Sequence, residues 1–363
     1  MDAASDAPGV AGQAGDAVAP GPSPDAGAPR SRTVTGPPPG TRVETLPSVP
    51  GLGGLYVRGA AGSAAARIPG RTTATTLPAV AHRVEGVRVD PGHLTSYQHL
   101  LGETGSDALP SGFCHVLAFP VATAVMVRPD FPLPLLGMVH VANAASVLRP
   151  VHLGDALDVT AWTQDLRAHR RGTQLDVCAE IAVDGEVAWR GVSTYLAKGV
   201  HLVGGTGSAE APGAEPSGTA EVSGVAATVG AEKSSGTEAS SGVGTSSGRV
   251  GASVAWRLGA DVGRAYGAVS GDRNPIHMSA LSAKAFGFPR AIAHGMYTAA
   301  RALADVGPRR GTTYDWTVEF AKPVLLPGRV DVTYTTMPDG SWTYAGRSQS
   351  GKLHLAGSVT PTT

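Results

Sequence analysis

Arg149-Pro150-Val151-His152-Leu153-Gly154-Asp155-Ala156-Leu157-Asp158-Val159-Thr160 returns without a gap as Lys322-Pro323-Val324-Leu325-Leu326-Pro327-Gly328-Arg329-Val330-Asp331-Val332-Thr333. In each copy a basic residue and Pro-Val lead into a glycine-containing turn, and a hydrophobic-Asp-Val-Thr run follows. The pattern is that of strand, turn and strand, and its recurrence points to an internal duplication.

The surroundings of the two copies agree. Before the first lies an apolar helix candidate over 113–127 and a strand over 137–148. Strands over 155–164, 174–183 and 186–197 follow, the last two joined through Asp184-Gly185, a hairpin-turn dipeptide. Around the second copy, 252–258 reads as a strand and 292–306 as a helix. Segments 312–320, 329–336, 341–348 and 352–359 read as strands, with turns at Asp339-Gly340 and Gly351. One helix followed by an antiparallel meander is an α+β layer, the helix lying on one face of the sheet. Two such layers can form a pseudo-twofold pair within one chain.

Two tracts cannot belong to either layer. Ala, Gly, Pro, Ser and Asp dominate the first forty or so residues, and such a stretch buries too little apolar area to offset its ordering. A tail over 1–49 is therefore expected to be disordered. The Gly/Ser/Ala/Thr/Glu-rich stretch 204–248 reads as a flexible linker. Between them lie two folded blocks, 50–203 and 249–363.

Composition narrows the function. Lys plus Arg and Asp plus Glu both number 29 among 363 residues, so no basic excess argues for nucleic acid. His169-Arg170-Arg171 is the one compact basic run and reads as a solvated hairpin tip. Cys114 and Cys178 stand in apolar surroundings, which suits a reducing compartment. The opening residues lack a cationic and then apolar leader, and the apolar run 117–127 contains Pro120 and stops at Arg128, too short for a membrane span. A soluble cytoplasmic protein is expected.

The chemistry concentrates in 266–296. Gly271 permits a tight bend, Asn274-Pro275 favours turn initiation, and Asp272 and His277 leave the same constrained loop. Ser279 can cap a short helix over 280–286. A carboxylate and an imidazole sharing one water can remove a proton and return one, which is general acid–base work. The same turn could equally be an Asx-type loop with His277 bonded only to backbone. Gly295, in the first turn of the helix over 292–306, has no Cβ. A substrate carbonyl could approach its N–H at the positive helix end, or the glycine could serve close helix–sheet packing. His294 reads as orienting the start of that helix. No second acid or histidine has metal-ligand spacing around the turn, so no metal is expected.

With these residues in place, Tyr266-Gly267-Ala268-Val269-Ser270-Gly271-Asp272-Arg273-Asn274-Pro275-Ile276-His277, then Phe288, Ile292 and His294-Gly295-Met296, resembles the signature of MaoC-like, (R)-specific enoyl-CoA hydratases. Phe320-Ala321-Lys322-Pro323-Val324 with Pro327-Gly328 resembles the family's next strand and turn. The likeness covers the second block, and the first resembles the degenerate partner half of two-lobed members.

The resemblance implies a double hot-dog fold, a long helix wrapped by an antiparallel sheet in each half. It implies reversible syn hydration of a trans-2-enoyl thioester, carried by CoA or acyl-carrier protein, to an (R)-3-hydroxyacyl thioester without metal or redox cofactor. Carried over by position, Asp272 and His277 activate the water, with Asp272 taken as base and His277 as acid. Asn274 supports the turn or meets water or substrate, and the Gly295 N–H receives the thioester oxygen. The first block reads Cys114-His115-Val116-Leu117 at its helix start, with Val116 where Gly295 stands and no acid–imidazole turn before it. That half is expected to shape the acyl tunnel rather than react. A hot-dog thioesterase and a non-catalytic acyl-thioester binding or assembly subunit are the competing functions, and a fused pseudo-dimer could stand alone or pair again as a homodimer.

Overall fold

The computed structural model describes residues 35–65, 74–135, 137–202 and 249–362. Positions 1–34 of the expected tail and the expected linker 204–248 lie outside the described residues. The first half contains β1 (Arg42–Thr45), α1 (Leu52–Ala65), β2 (Val80–Val87), α2 (Pro91–Leu101), α3 (Ser111–Met126), β3 (Met138–Val147), β4 (Leu157–His169), β5 (Gly172–Val183) and β6 (Glu186–Lys198). The second contains β7 (Arg249–Leu258), α4 (Val262–Ser270), α5 (Pro275–Met278), α6 (Ala280–Ala285), α7 (Gly295–Val306), β8 (Tyr314–Phe320), β9 (Gly328–Thr336), β10 (Trp342–Arg347) and β11 (Leu353–Pro361).

Across the sheet the order is β1-β2-β4-β5-β6-β3-β8-β11-β10-β9-β7. Apart from β1 this is a palindrome: β2-β4-β5-β6-β3 on one side answers β7-β9-β10-β11-β8 on the other. The halves join where β3 pairs antiparallel with β8, with Ala142 opposite Glu319 and Ser146 opposite Asp315. The shift that carries Arg149 onto Lys322 also carries Ala142 onto Asp315 and Ser146 onto Glu319, so the seam lies on the pseudo-twofold axis. The repeated Leu157-Asp158-Val159-Thr160 opens β4 and Val330-Asp331-Val332-Thr333 lies within β9, with the same burial pattern: aliphatic residues in, Asp and Thr half-exposed. The paired α+β layers expected from the repeat are the fold observed, the double hot-dog that the resemblance implies.

Most strands follow from alternation and their turns. Asp184 and Gly185 both adopt positive φ, 54° and 80°, the handedness a tight β5–β6 hairpin requires. The helices α3 and α7 lie side by side, and a Cβ on Gly112 would come within 2.9 Å of the Ala300 Cβ and closer still to the Tyr97 hydroxyl. Buried residues from Val84 to Val359 form one continuous core across both halves. Among the described residues, no helix is long and apolar enough to cross a membrane.

Three expectations change. The tail expected over 1–49 is ordered at its end: β1 runs parallel to β2, with the Arg42 N–H on the Ala79 carbonyl at 3.0 Å and the Leu46 N–H on that of Arg83 at 2.7 Å. Glu44 fastens it by ion-pairing with Arg128 at 3.0 Å. Four strand residues set among prolines and glycines carry too little pattern to stand out. Second, α3 begins at Ser111, so Val116 is inside the helix and does not occupy the place that Gly295 holds at the start of α7. Third, α1 has no counterpart in the sequence reading. Leu52, Leu55, Tyr56 and Gly59 share one helical face, and Leu52 and Leu55 are buried against Ala124 of α3.

Candidate active site

The turn between α4 and α7 is built by backbone rules first. Gly271 ends α4 in the left-handed region, φ 71°, and a Cβ there would lie 2.7 Å from Leu52 Cδ1. The Asn274 side chain caps α5 by accepting from the Ile276 N–H at 3.4 Å, while the Asn274 N–H donates to Asp272 Oδ1 at 3.1 Å. Gly263 lets α4 approach α5, since a Cβ would sit 2.0 Å from the His277 carbonyl oxygen. The start of α7 is held by the Ala293 N–H on Val324 O at 2.9 Å and the Leu326 N–H on Ala291 O at 2.8 Å. The repeat segment around Pro323-Val324 therefore anchors the helix that carries Gly295.

Asp272 and His277, picked out together from the sequence, do meet. One ligating atom each from Asp272, His277 and His294 all lie within 4.8 Å of one another, a gap that a water hydrogen-bonded at both ends can span. His277 bonds through Nδ1 to the Ile292 carbonyl at 2.8 Å. A carbonyl only accepts, so Nδ1 carries the proton and Nε2 of the neutral ring is a bare lone pair. His294 bonds through Nε2 to the Asp272 carbonyl at 2.9 Å, and the two imidazoles stack with centroids 3.7 Å apart. Asn274 and Gly295 line the same cavity, which holds about 510 Å³. As the first residue of α7, Gly295 has an N–H without an intrahelical acceptor. A Cβ at Gly295 would lie 3.0 to 3.2 Å from the Phe320 ring, so both readings of this glycine have a physical basis.

Electrostatics separate the groups. Burial would raise the Asp272 carboxyl, but attraction to His294 and His277 as those rings take up protons, with hydrogen bonds from Tyr56 and the Asn274 N–H, outweighs it and holds the group below the usual carboxylate value. Burial lowers His277, against the opposing pull of Asp272, so its ring rests neutral. Burial and the neighbouring His277 lower His294 to about 3.

Several contributors were not legible beforehand. Tyr56, from α1, donates to Asp272 Oδ1 at 2.5 Å. His115, His140 and Tyr195 bring first-half polar groups to the cavity wall, with the His140 ring stacked on Tyr195 at 4.7 Å. His169-Arg170-Arg171 forms the exposed β4–β5 hairpin tip that was expected, and it also lines the cavity together with Lys198 and Lys322. His294 supplies the second histidine near the turn that spacing alone did not reveal, so a metal needs a geometric test. The His277 and His294 rings are only 24° from parallel at 3.7 Å. In-plane lone pairs on such rings cannot converge on an ion about 2.0–2.1 Å from each nitrogen. The trio does not fit a metal.

Residues 250–350 match the family described as the MaoC like domain. Over 298 residues the chain is 30% identical to 3-hydroxyacyl-thioester dehydratase X of Mycobacterium tuberculosis, covering 82% of this chain and 95% of that protein. The crystal structure of HtdX from the same organism superposes with a TM-score of 0.60 at 29% identity, covering 78% of this chain and 100% of that one. A MaoC-like dehydratase from Phytophthora capsici, 15% identical, shares the fold with a TM-score of 0.55 over 78% of this chain and 95% of its own. A duplicated hot-dog sheet, an Asp272/His277 turn against the start of α7, and a relative matched along nearly its whole length agree: the chain belongs to the MaoC-like dehydratase family.

Proposed function

We infer that the protein is a hydro-lyase interconverting trans-2-enoyl and (R)-3-hydroxyacyl thioesters. The observation that carries the reading is the bare Nε2 of His277 beside an ionised Asp272, in one cavity with the first N–H of α7. The similarity to a protein named as a 3-hydroxyacyl-thioester dehydratase supports it.

In the hydration direction a water bridges Asp272 and His277 Nε2. As its oxygen attacks C3, Nε2 takes the proton, and charge moves through C2 to the thioester oxygen, which the Gly295 N–H receives. The imidazolium then returns its proton to C2 from the same side, giving syn addition of one water. A neutral His277 has no Nε2 proton to give at the outset, so the acid role expected of it becomes the second half of a single shuttle. Asp272 orients the water and stabilises the imidazolium, and Asn274 holds the turn on which both depend.

Arg170, Arg171, Lys198 and Lys322 line the cavity, and none is ion-paired with a carboxylate among the described residues. They suit the phosphates of a CoA thioester or the phosphopantetheine of a carrier protein. Buried free Cys114 and Cys178 suit the reducing cytoplasm. The test is crotonyl-CoA with the purified protein. Loss of enoyl-thioester absorbance with formation of (R)-3-hydroxybutyryl-CoA supports the reading. Release of free thiol would mark a thioesterase, and neither change a binding subunit.

A further inference from the structure

The catalytic turn belongs to the second half, yet its carboxylate is held by a residue of the first, on the helix between β1 and β2. Tyr56 lies on α1, where it follows Leu55 on the face turned inward. Its hydroxyl donates to Asp272 Oδ1 at 2.5 Å, and the Asn274 N–H donates to the same oxygen at 3.1 Å. Both bonds thus fall on Oδ1. Oδ2 is 3.8 Å from His294 Nε2, and its lone pairs have no closer partner among the described residues. The helix is seated at two further points: Leu52 lies against Gly271, and a Cβ on Gly59 would press within 2.6 Å of Leu135.

We propose that Tyr56 is a positioning residue for Asp272, its hydroxyl fixing Oδ1 so that Oδ2 is presented to the water shared with His277. The proposal rests on the reading of Asp272 and His277 as the reacting pair. A charge-assisted bond of this kind does two things. It removes one rotational freedom from the carboxylate, and it favours the ionised form. Tyr56 is the donor here, because an ionised carboxylate can only accept, and burial and the adjacent Asp272 keep the phenol protonated. Helix α1 thereby makes a turn of the second half depend on a helix of the first.

The experiment compares crotonyl-CoA hydration by full-length wild type, Tyr56→Phe, Asp272→Asn and, as a control on the outer face of α1, Val57→Ala, which is 71% exposed. Phenylalanine keeps the packing of the ring and deletes only the donor. Tyr56→Phe should lower kcat by about tenfold with KM little changed. It should also move the acidic limb of the kcat/KM profile upward by about one pH unit, the scale of a hydrogen bond to a charged group. The His277 ring protons, followed by NMR through the same pH range, should show the same displacement without relying on turnover. Val57→Ala should match wild type. An unmoved acidic limb and an unmoved His277 titration in Tyr56→Phe, with Asp272→Asn inactive, would overturn the role of Tyr56 alone. Near-wild-type turnover in Asp272→Asn would instead remove the reading of the reacting pair.

Discussion

His277 and His294 stack nearly face to face, 3.7 Å between centroids, and each commits one ring nitrogen to a main-chain carbonyl: His277 Nδ1 to Ile292 and His294 Nε2 to Asp272. The bonding to these carbonyls locks both tautomers. It leaves His277 Nε2 free for a water, while His294 Nδ1 is buried without a hydrogen-bond partner. The two histidines are therefore not equivalent. In the proposed mechanism His277 is the ring that reacts, while His294 stacks on it and bonds the Asp272 main chain.

Removing the reacting groups should abolish turnover and spare the fold. Asp272→Asn and His277→Ala are each expected to lower kcat by about 10²–10⁴-fold, the span of positioned acid–base groups. Far-UV circular dichroism should be unchanged. Turnover within about threefold of wild type in His277→Ala would exclude the proton shuttle.

Acid should destabilise the protein earlier than its acidic residues alone would suggest. Burial lowers His115 to about 4 and, with the neighbouring His115, lowers His140 to about 3; burial and His277 likewise bring His294 to about 3. Below the ordinary histidine value of 6.5 the unfolded chain takes up protons that the folded chain refuses. Stability from these rings is full above that pH and is lost as the pH falls toward the folded values. Tm should drop steadily between about pH 6.5 and pH 4. His140→Phe, which preserves the stacking on Tyr195, should flatten part of the drop. A Tm constant across that window would contradict the neutral buried state.

Two glycines should respond in opposite directions to alanine. At Gly263 the new Cβ would lie 2.0 Å from the His277 carbonyl oxygen, and main chain stands on both sides of the clash. The substitution should cost about 1–3 kcal/mol and reduce kcat by displacing α5. Gly54, inside α1, meets nothing within 4 Å and should gain about 0.5–1 kcal/mol from its improved helix propensity. Equal denaturation midpoints for both variants would refute the close approach of α4 to α5.

The cationic rim is tested by a substrate without phosphates. Arg170→Ala combined with Arg171→Ala should raise KM for crotonyl-CoA by about tenfold, roughly 1.4 kcal/mol. Crotonyl-pantetheine should be unaffected. Parallel losses on both substrates would mean that the β4–β5 tip shapes the acyl path and does not hold phosphate.

The sequence made legible what rests on local pattern. The strands around the two repeat copies, the Asp184-Gly185 turn and the Ser279 cap of α6 follow from alternation and turn chemistry within a few residues. The turn carrying Asp272 and His277 was visible because a tight bend brings its residues together by itself. Contacts made over long distances were not. Tyr56 sits in a helix whose Gly53 and Gly54 suppress propensity, and its partner lies beyond both the first layer and the linker tract. His294 was visible as a helix-start residue, but only the fold stacks it on His277. His140 and Tyr195 reach the cavity through the pairing of β3 with β6, and His115 through the packing of α3 against that sheet, which no local window contains.

The β3–β8 seam has a consequence for how such a molecule can change. Were the two layers separate, identical subunits, every substitution would appear twice, and a wall residue altered to suit a new acyl group would also be altered in the reacting turn. Joined within one polypeptide, each layer mutates independently: one side is free to refit its lining while the other keeps Asp272 and His277 intact. Duplication here uncouples what the protein accepts from what it does.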